Sequence, residues 1–213
     1  DLEMMFKKYP QGIWLRATTG CGGNGSVCAH DISYAKSWID SFSGWGSFTA
    51  AKVLTDKTAS WTAIWNNGEL IVSQIRKRLY WEFSYLSPSG VTGITGAQIT
   101  ARDPQIDEIA IKSIHAITEK PNGIVSVDFT YDENVLPNPT EIQASRFFSS
   151  TYFMAKAGLN LPYYFVKLAL HEDLPPIKNK FSPLNPDLLW IKYVDCLPLL
   201  TTVKDIEKLH TYT

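Results

Sequence analysis

Hydrophobic and polar positions follow two rhythms along this chain. Residues 123–131, Gly-Ile-Val-Ser-Val-Asp-Phe-Thr-Tyr, interleave β-branched and aromatic residues with small or polar ones, the period of two expected of a strand. Asp132, Glu133 and Asn134 supply turn chemistry before residues 137–147 return, so the stretch predicts a β-hairpin. Side chains two apart share a strand face, which puts Glu141 beside Gln143, with Asp128 available from the partner strand.

Elsewhere the period shifts to three and four. Ile32, Ala35, Trp38, Ile39 and Phe42 form one helical stripe, which predicts Trp38 and Phe42 as core residues. Ile106, Ile109, Ala110, Ile114 and Ile117 form a second over 104–117, with His115 next to it as a structural histidine. Residues 147–156 and 163–172 read as helices broken at 158–162. Residues 13–18 read as a short buried strand, followed after the first helix by strands over 48–54, 60–65 and 70–76. Asn67-Gly68 marks a hairpin turn, and these strands with the first helix predict one small antiparallel sheet. The glycines and serines of 87–100 predict a loop. Five prolines from Pro175 to Pro198 exclude a continuous helix from the tail, which reads as an extended wrap ending in a short helix over 203–209. The fold class is α+β.

At 213 residues with 45% hydrophobic content, the chain can fill one large core or two small domains sharing one. Twenty basic against 21 acidic residues leave a net charge of −1, so no nucleic-acid footprint is expected. Arg76-Lys77-Arg78 is a local cluster, either a solvated face or a group facing a phosphate or carboxylate. Cys21, Cys28 and Cys196 form no C-x-x-C pair and leave an odd thiol. With no apolar run long enough to cross a bilayer and no secretory signal at the start, the expectation is a cytoplasmic protein without membrane contact.

Asp128, Glu141 and Gln143 offer three oxygen donors, which suit Mg²⁺ held by carboxylates and substrate phosphates; as ordinary hairpin acids they read equally as a solvated face. Arg146 adds a fork that fits a phosphate oxygen pair. Glycines at 20, 22, 23 and 25 let backbone N–H groups approach an anion. The same loop reads as a plain hairpin connection, since it is neither a Walker A nor a dinucleotide-binding sequence.

Asp128 together with Pro139-Thr140-Glu141-Ile142-Gln143-Ala144-Ser145-Arg146-Phe147-Phe148 and residues 157–169 resembles the C-terminal core of ATP-grasp enzymes. The branch it resembles contains the carbamoyl-phosphate synthase large subunit and related carboxylate-amine ligases. The resemblance implies Asp128, Glu141 and Gln143 as ligands of Mg²⁺, with Mn²⁺ as a substitute, bridging the phosphates of ATP. It makes Asp128 and Glu141 part of the nucleotide site as well. Arg16 ahead of Gly22 and Gly23 resembles the strand and flexible loop of the ATP-grasp lid. This implies Arg16, Gly22, Gly23, Gly25 and Arg76 as phosphate contacts, Val53 and Leu54 as adenine neighbours, and Arg16 and Arg146 as the catalytic cations.

Three positions depart from the family pattern. Gln143 stands for the usual Asn, Lys52 for a Glu that holds the ribose, and Ile94-Thr95-Gly96 for a loop His of carbamoyl-phosphate synthases. The resemblance spans about residues 13–172. It implies a lid over 1–80, a core over 81–172, a C-terminal wrap over 173–213, and no N-terminal domain ahead of the lid. ATP is expected to be clamped between lid and core. The implied function is an ATP-dependent ligase that activates a small carboxylate as an acyl phosphate for attack by an amine or ammonia. A fragment or one part of a split enzyme is expected, with little turnover alone and a partner domain or homodimer to complete it. The alternative is a degenerate module that binds nucleotide or a partner subunit without chemistry.

Overall fold

A short helix followed by short strands opens the chain, and two compact units emerge from its contacts. One comprises Asp1–Thr55 with Trp81–Ile94, the other Asp56–Tyr80 with Thr95–Thr213. The structure, a computed structural model, describes every residue except Cys21, Val91, Thr92, Ser145 and 210–213.

The first unit begins with α1 (Leu2–Lys8), β1 (Ile13–Ala17), β2 (Val27–Ala29), α2 (Ile32–Ser41) and β3 (Phe48–Lys52). β1 pairs antiparallel with both β2 and β3, giving a three-stranded sheet. Ile13 and Leu15, two apart on β1, face inward with Val27 and Ala29, and α2 closes this core with Ala35 and Ile39. The Asp31 carboxylate accepts the Tyr34 N–H at 2.8 Å, satisfying a donor that the first helical turn leaves open. Phe42 corrects the sequence expectation: it caps α2 and is 39% exposed, its ring edge-on to Phe48.

Next come β4 (Thr58–Asn66), β5 (Glu69–Glu82), a 3₁₀ turn (Ser84–Leu86), β6 (Ile94–Ala101), α3 (Pro104–His115), β7 (Gly123–Tyr131) and β8 (Pro137–Ala144). The chain ends with α4 (Thr151–Lys156), α5 (Leu161–Ala169), β9 (Leu188–Ile191), β10 (Leu199–Thr202) and α6 (Val203–Leu209). Seven strands form one sheet in the order β10-β9-β6-β5-β4-β7-β8. The β4–β5 hairpin turns at Asn67 and Gly68, both at positive φ, as the sequence predicts. It does not join the small first sheet, however, because β4 pairs along its length with β7.

Residues 94–100, expected in a loop, are strand β6. Gly96 is the reason for the misreading: a Cβ there would overlap the Tyr80 ring, so this glycine serves a close approach within the sheet. The proline-bearing tail likewise contributes β9 and β10 before the expected helix at 203–209. The α+β class stands. Among the described residues, no helix is long and apolar enough to cross a membrane.

The large sheet is covered on both faces. Ala59, Trp61, Ala63 and Trp65 of β4 pack with Val125, Val127 and Phe129 of β7 against Ile106, Ala110 and Ile114 of α3. Beneath them, the Asp107 carboxylate accepts the Trp61 indole N–H at 2.7 Å and the Ser73 hydroxyl at 3.2 Å. Burial pushes this carboxyl up from its ordinary pKa, and its two hydrogen bonds only partly oppose that. On the other face, Ile64 and Val72 pack under Met154, Leu159, Leu161 and Tyr164. Further along these strands the same face carries Ser60, Arg76 and Asp128.

Candidate functional site

Strand register assembles the polar region. Asp128 on β7 lies opposite Glu141 on β8, and Ser126 opposite Gln143. Ser60 on β4 lies opposite Asp128, and Arg76 on β5 opposite Ser60. Arg76 Nη1 donates to Gln98 Oε1 on β6, and Gln98 lies opposite Trp190 on β9. Directly opposed residues of antiparallel neighbours carry their side chains to one face. A row from Trp190 to Glu141 therefore crosses six adjacent strands.

A β-bulge makes the β8 end of this row. The register shifts between Asp128 and Phe129, leaving Thr140 as the extra residue, its hydroxyl donating to the Asp128 carbonyl at 3.1 Å. In a regular strand Pro139 and Glu141, two apart, share a face. The bulge instead sets Pro139 opposite Phe129 in the core and Glu141 opposite Asp128 on the polar side.

The Ser60 hydroxyl donates to Asp128 Oδ1. Gln143 Nε2 lies 3.5 Å from Glu141 Oε1, and Gln143 Oε1 is buried with no hydrogen-bond partner among the described residues. Arg76 is 5% exposed, with the Phe148 ring 5.2 Å from its guanidinium carbon. Burial pushes its pKa down to about 9, Arg78 adds repulsion, and Asp128 opposes both. Arg78 donates to Thr95 Oγ1 at 3.0 Å and to Thr58 Oγ1 at 2.7 Å; burial lowers its pKa too, against the pull of Asp128. Among the described residues, no group of three or more His, Cys, Asp and Glu side chains gathers as a metal cluster. The oxygens that register brings together are two carboxylates and one amide. Arg146 is exposed on the segment between β8 and α4.

The remaining candidates belong to the first unit. Gly22, Gly23 and Gly25 take φ of 64°, 74° and 76°, the left-handed region that other residues avoid. A Cβ at Gly25 would meet the Ala17 Cβ at 2.7 Å, while Gly22 faces open space. The loop is also a hairpin connection, since β1 and β2 pair directly. It borders a cleft of about 240 Å³ together with Trp38, Leu86, Ser87 and Pro88. Trp38, expected only in the core, donates its indole N–H to the Gly25 carbonyl at 3.2 Å. Arg16 is exposed on β1 opposite Thr49, Lys52 is exposed at the end of β3, and Val53 and Leu54 follow it half-buried.

Sequence reasoning grouped Asp128, Glu141 and Gln143 but missed Ser60, Gln98 and Trp190. Nothing local marks a Ser in Ala59-Ser60-Trp61 as the neighbour of a carboxylate 68 residues away.

No family model and no curated protein sequence matches this chain. Solved structures do. The biotin carboxylase domain of Hydrogenobacter thermophilus 2-oxoglutarate carboxylase, in complex with MgADP, ADP and bicarbonate, matches 90% of this chain at 14% identity and a TM-score of 0.64. Biotin carboxylase from Campylobacter jejuni matches 87% at 16% identity and a TM-score of 0.63. N5-carboxyaminoimidazole synthetase from Staphylococcus aureus, complexed with ADP, matches the full chain at 14% identity and a TM-score of 0.65. The chain spans 43%, 42% and 63% of these three proteins, respectively. With its large sheet, its flanking helices and the structures it superposes on, the chain has the ATP-grasp fold.

Proposed function

We propose that the chain binds Mg-ATP and forms part of an ATP-dependent carboxylate-amine ligase. The observation that carries this reading is the buried Oε1 of Gln143, which has no hydrogen-bond partner among the described residues and stands on the strand face shared by Glu141 and Asp128. A buried acceptor without a donor is costly, and a cation beside two carboxylates satisfies it. Mg²⁺ is usually held by one or two carboxylates plus substrate phosphates, so the donor set fits the metal. The nucleotides named with the superposed structures support the same reading.

In this reading Asp128, Glu141 and Gln143 are the metal ligands, with Mn²⁺ as a substitute. The bound metal supplies charge neutralisation at the phosphates. The Ser60 hydroxyl fixes one oxygen of Asp128 and so orients the carboxylate. Arg16, Gly22, Gly23, Gly25 and Arg76 contact phosphate oxygens, and Val53 and Leu54 adjoin the adenine. Arg146 and Arg16 offset charge that develops during transfer. A substrate carboxylate attacks the γ-phosphorus, releasing ADP and leaving an acyl phosphate; an amine or ammonia then displaces phosphate. A homodimer is part of the proposal, in line with the domain dimer named for the Hydrogenobacter protein.

Lys52 favours a second reading, a module that binds nucleotide without turning it over. An ammonium cannot accept a hydrogen bond from a ribose hydroxyl, and Lys52 stands where the resembling family has Glu. Calorimetric titration of ATP separates the outcomes. Binding that needs Mg²⁺ and is lost in Glu141→Ala supports the proposal, and phosphate release on adding carboxylate and ammonia distinguishes the ligase from the module. Binding indifferent to both Mg²⁺ and Glu141 would overturn the metal assignment.

A further inference from the structure

Glu141 and Gln143 stand on a strand whose burial does little to fix its register. In β8 only Pro137 is buried, residues 139–142 are all exposed, and Ile142, opposite Val127, is 36% exposed. A strand with no buried face is prone to slip. β8 is also an outer strand, paired within its sheet to β7 alone, so no second neighbour holds it in place.

Two registers compete there. Pro139 lies opposite Phe129, and a regular strand continued from that pair would set Thr140 opposite Asp128, Glu141 opposite Val127 and Gln143 opposite Val125. Directly opposed residues share a side of the sheet, and Val125 and Val127 belong to the side packed against α3. A slip of one residue therefore takes both β8 oxygen donors away from Asp128 at once. The bulge prevents this by leaving Thr140 as the extra residue, which disrupts the ladder locally. Against that disruption stands the Thr140 hydroxyl, which donates to the Asp128 carbonyl at 3.1 Å. It ties the bulge to the backbone of the residue that Glu141 must face.

We propose that Thr140 is a positioning residue of the metal site, its hydroxyl holding the bulge that keeps Glu141 and Gln143 on the face of Asp128. The inference rests on the metal reading given above. Thr140 acts through the register of β8, not by contact with the cation. Because the cation is held by the bulged register and not by the slipped one, metal and bulge stabilise each other.

Thr140→Val keeps the β-branched shape and removes the donor, and Thr140→Ser restores the hydroxyl. Register is read in the metal-free full chain from nuclear Overhauser contacts of the Val127 methyls. These should reach the Ile142 side chain in the wild type and in Thr140→Ser. In Thr140→Val, contacts to the Glu141 side chain should appear and should fade again with excess Mg²⁺. Binding is read by titration with Mn²⁺ alone, followed through the electron paramagnetic resonance of the free ion. Thr140→Val should raise the Mn²⁺ dissociation constant about threefold, because the competent register is less populated once the hydrogen bond is lost. Thr140→Ser should return it to the wild-type value. Wild-type register and affinity in Thr140→Val would overturn the inference alone, as would a loss that serine does not restore. A wild-type chain that binds no Mn²⁺ would overturn the metal reading beneath it, and the two failures are distinct because register is read without metal or ATP.

Discussion

Gln143 and Asp107 each bury a side-chain oxygen, and the two differ in what surrounds it. Asp107 has both of its donors supplied by the protein, from Trp61 and Ser73, whereas Gln143 Oε1 has none among the described residues. Replacing Gln143 by Leu should therefore weaken Mg-dependent ATP binding in calorimetry while leaving the urea midpoint of the free protein unchanged or higher. For Asp107, the folded-state pKa lies above its ordinary 3.8 because burial disfavours the charge. The folded protein thus holds a proton that the unfolded chain has released. Stability from this group is present below the ordinary value and is lost as pH rises through the raised one. Asp107→Asn keeps an acceptor for Trp61 and Ser73 and does not titrate. The gap in urea midpoint between variant and wild type should shift in favour of the variant from about pH 4 to about pH 7. The trio of Asp128, Glu141 and Gln143 was legible because a period of two needs only adjacent sequence. Ser60 was not, since its place depends on which distant strand β4 pairs with.

At the scale of elements, composition misled where packing decided. Gly93, Gly96 and the serines before them made residues 87–100 read as loop, yet Ile94–Ala101 is strand β6. Gly96 is held by the Tyr80 ring. Gly96→Ala should cost about 1–3 kcal/mol by overpacking, read from chemical denaturation. Shortening the obstructing ring in Gly96→Ala/Tyr80→Leu should recover part of that loss, a coupling that a propensity effect alone would not give. Helices α2 and α3 were legible from their stripes, because Ala35, Ile39, Ile106, Ala110 and Ile114 are the residues that the structure buries. Phe42 and Ile117, the last residues of those stripes, fall at or beyond the helix ends, where the periodicity no longer directs a side chain inward.

For the whole molecule, the α+β class and the ATP-grasp resemblance were readable from the order in which strands, glycine loop and helices follow one another. Which of the two separate sheets each strand joins was not, because β4–β5 carries the same alternation whichever sheet it joins. If the chain binds Mg-ATP only when folded, ligand at a hundredfold excess over Kd should add about 2.7 kcal/mol to stability. The rise in melting temperature should vanish with EDTA, and persistence of the full shift without metal would contradict the ligand set. The β-bulge strand has one more consequence. β8 is an outer strand of its sheet, and a bare margin invites another chain to dock by backbone pairing. Pro137 and Pro139 lie in it, and proline has no N–H to lend to such an intruder. The strand that carries Glu141 is thereby guarded against self-association, so replacing both prolines by threonine should increase aggregation on storage without altering the residues that face Asp128.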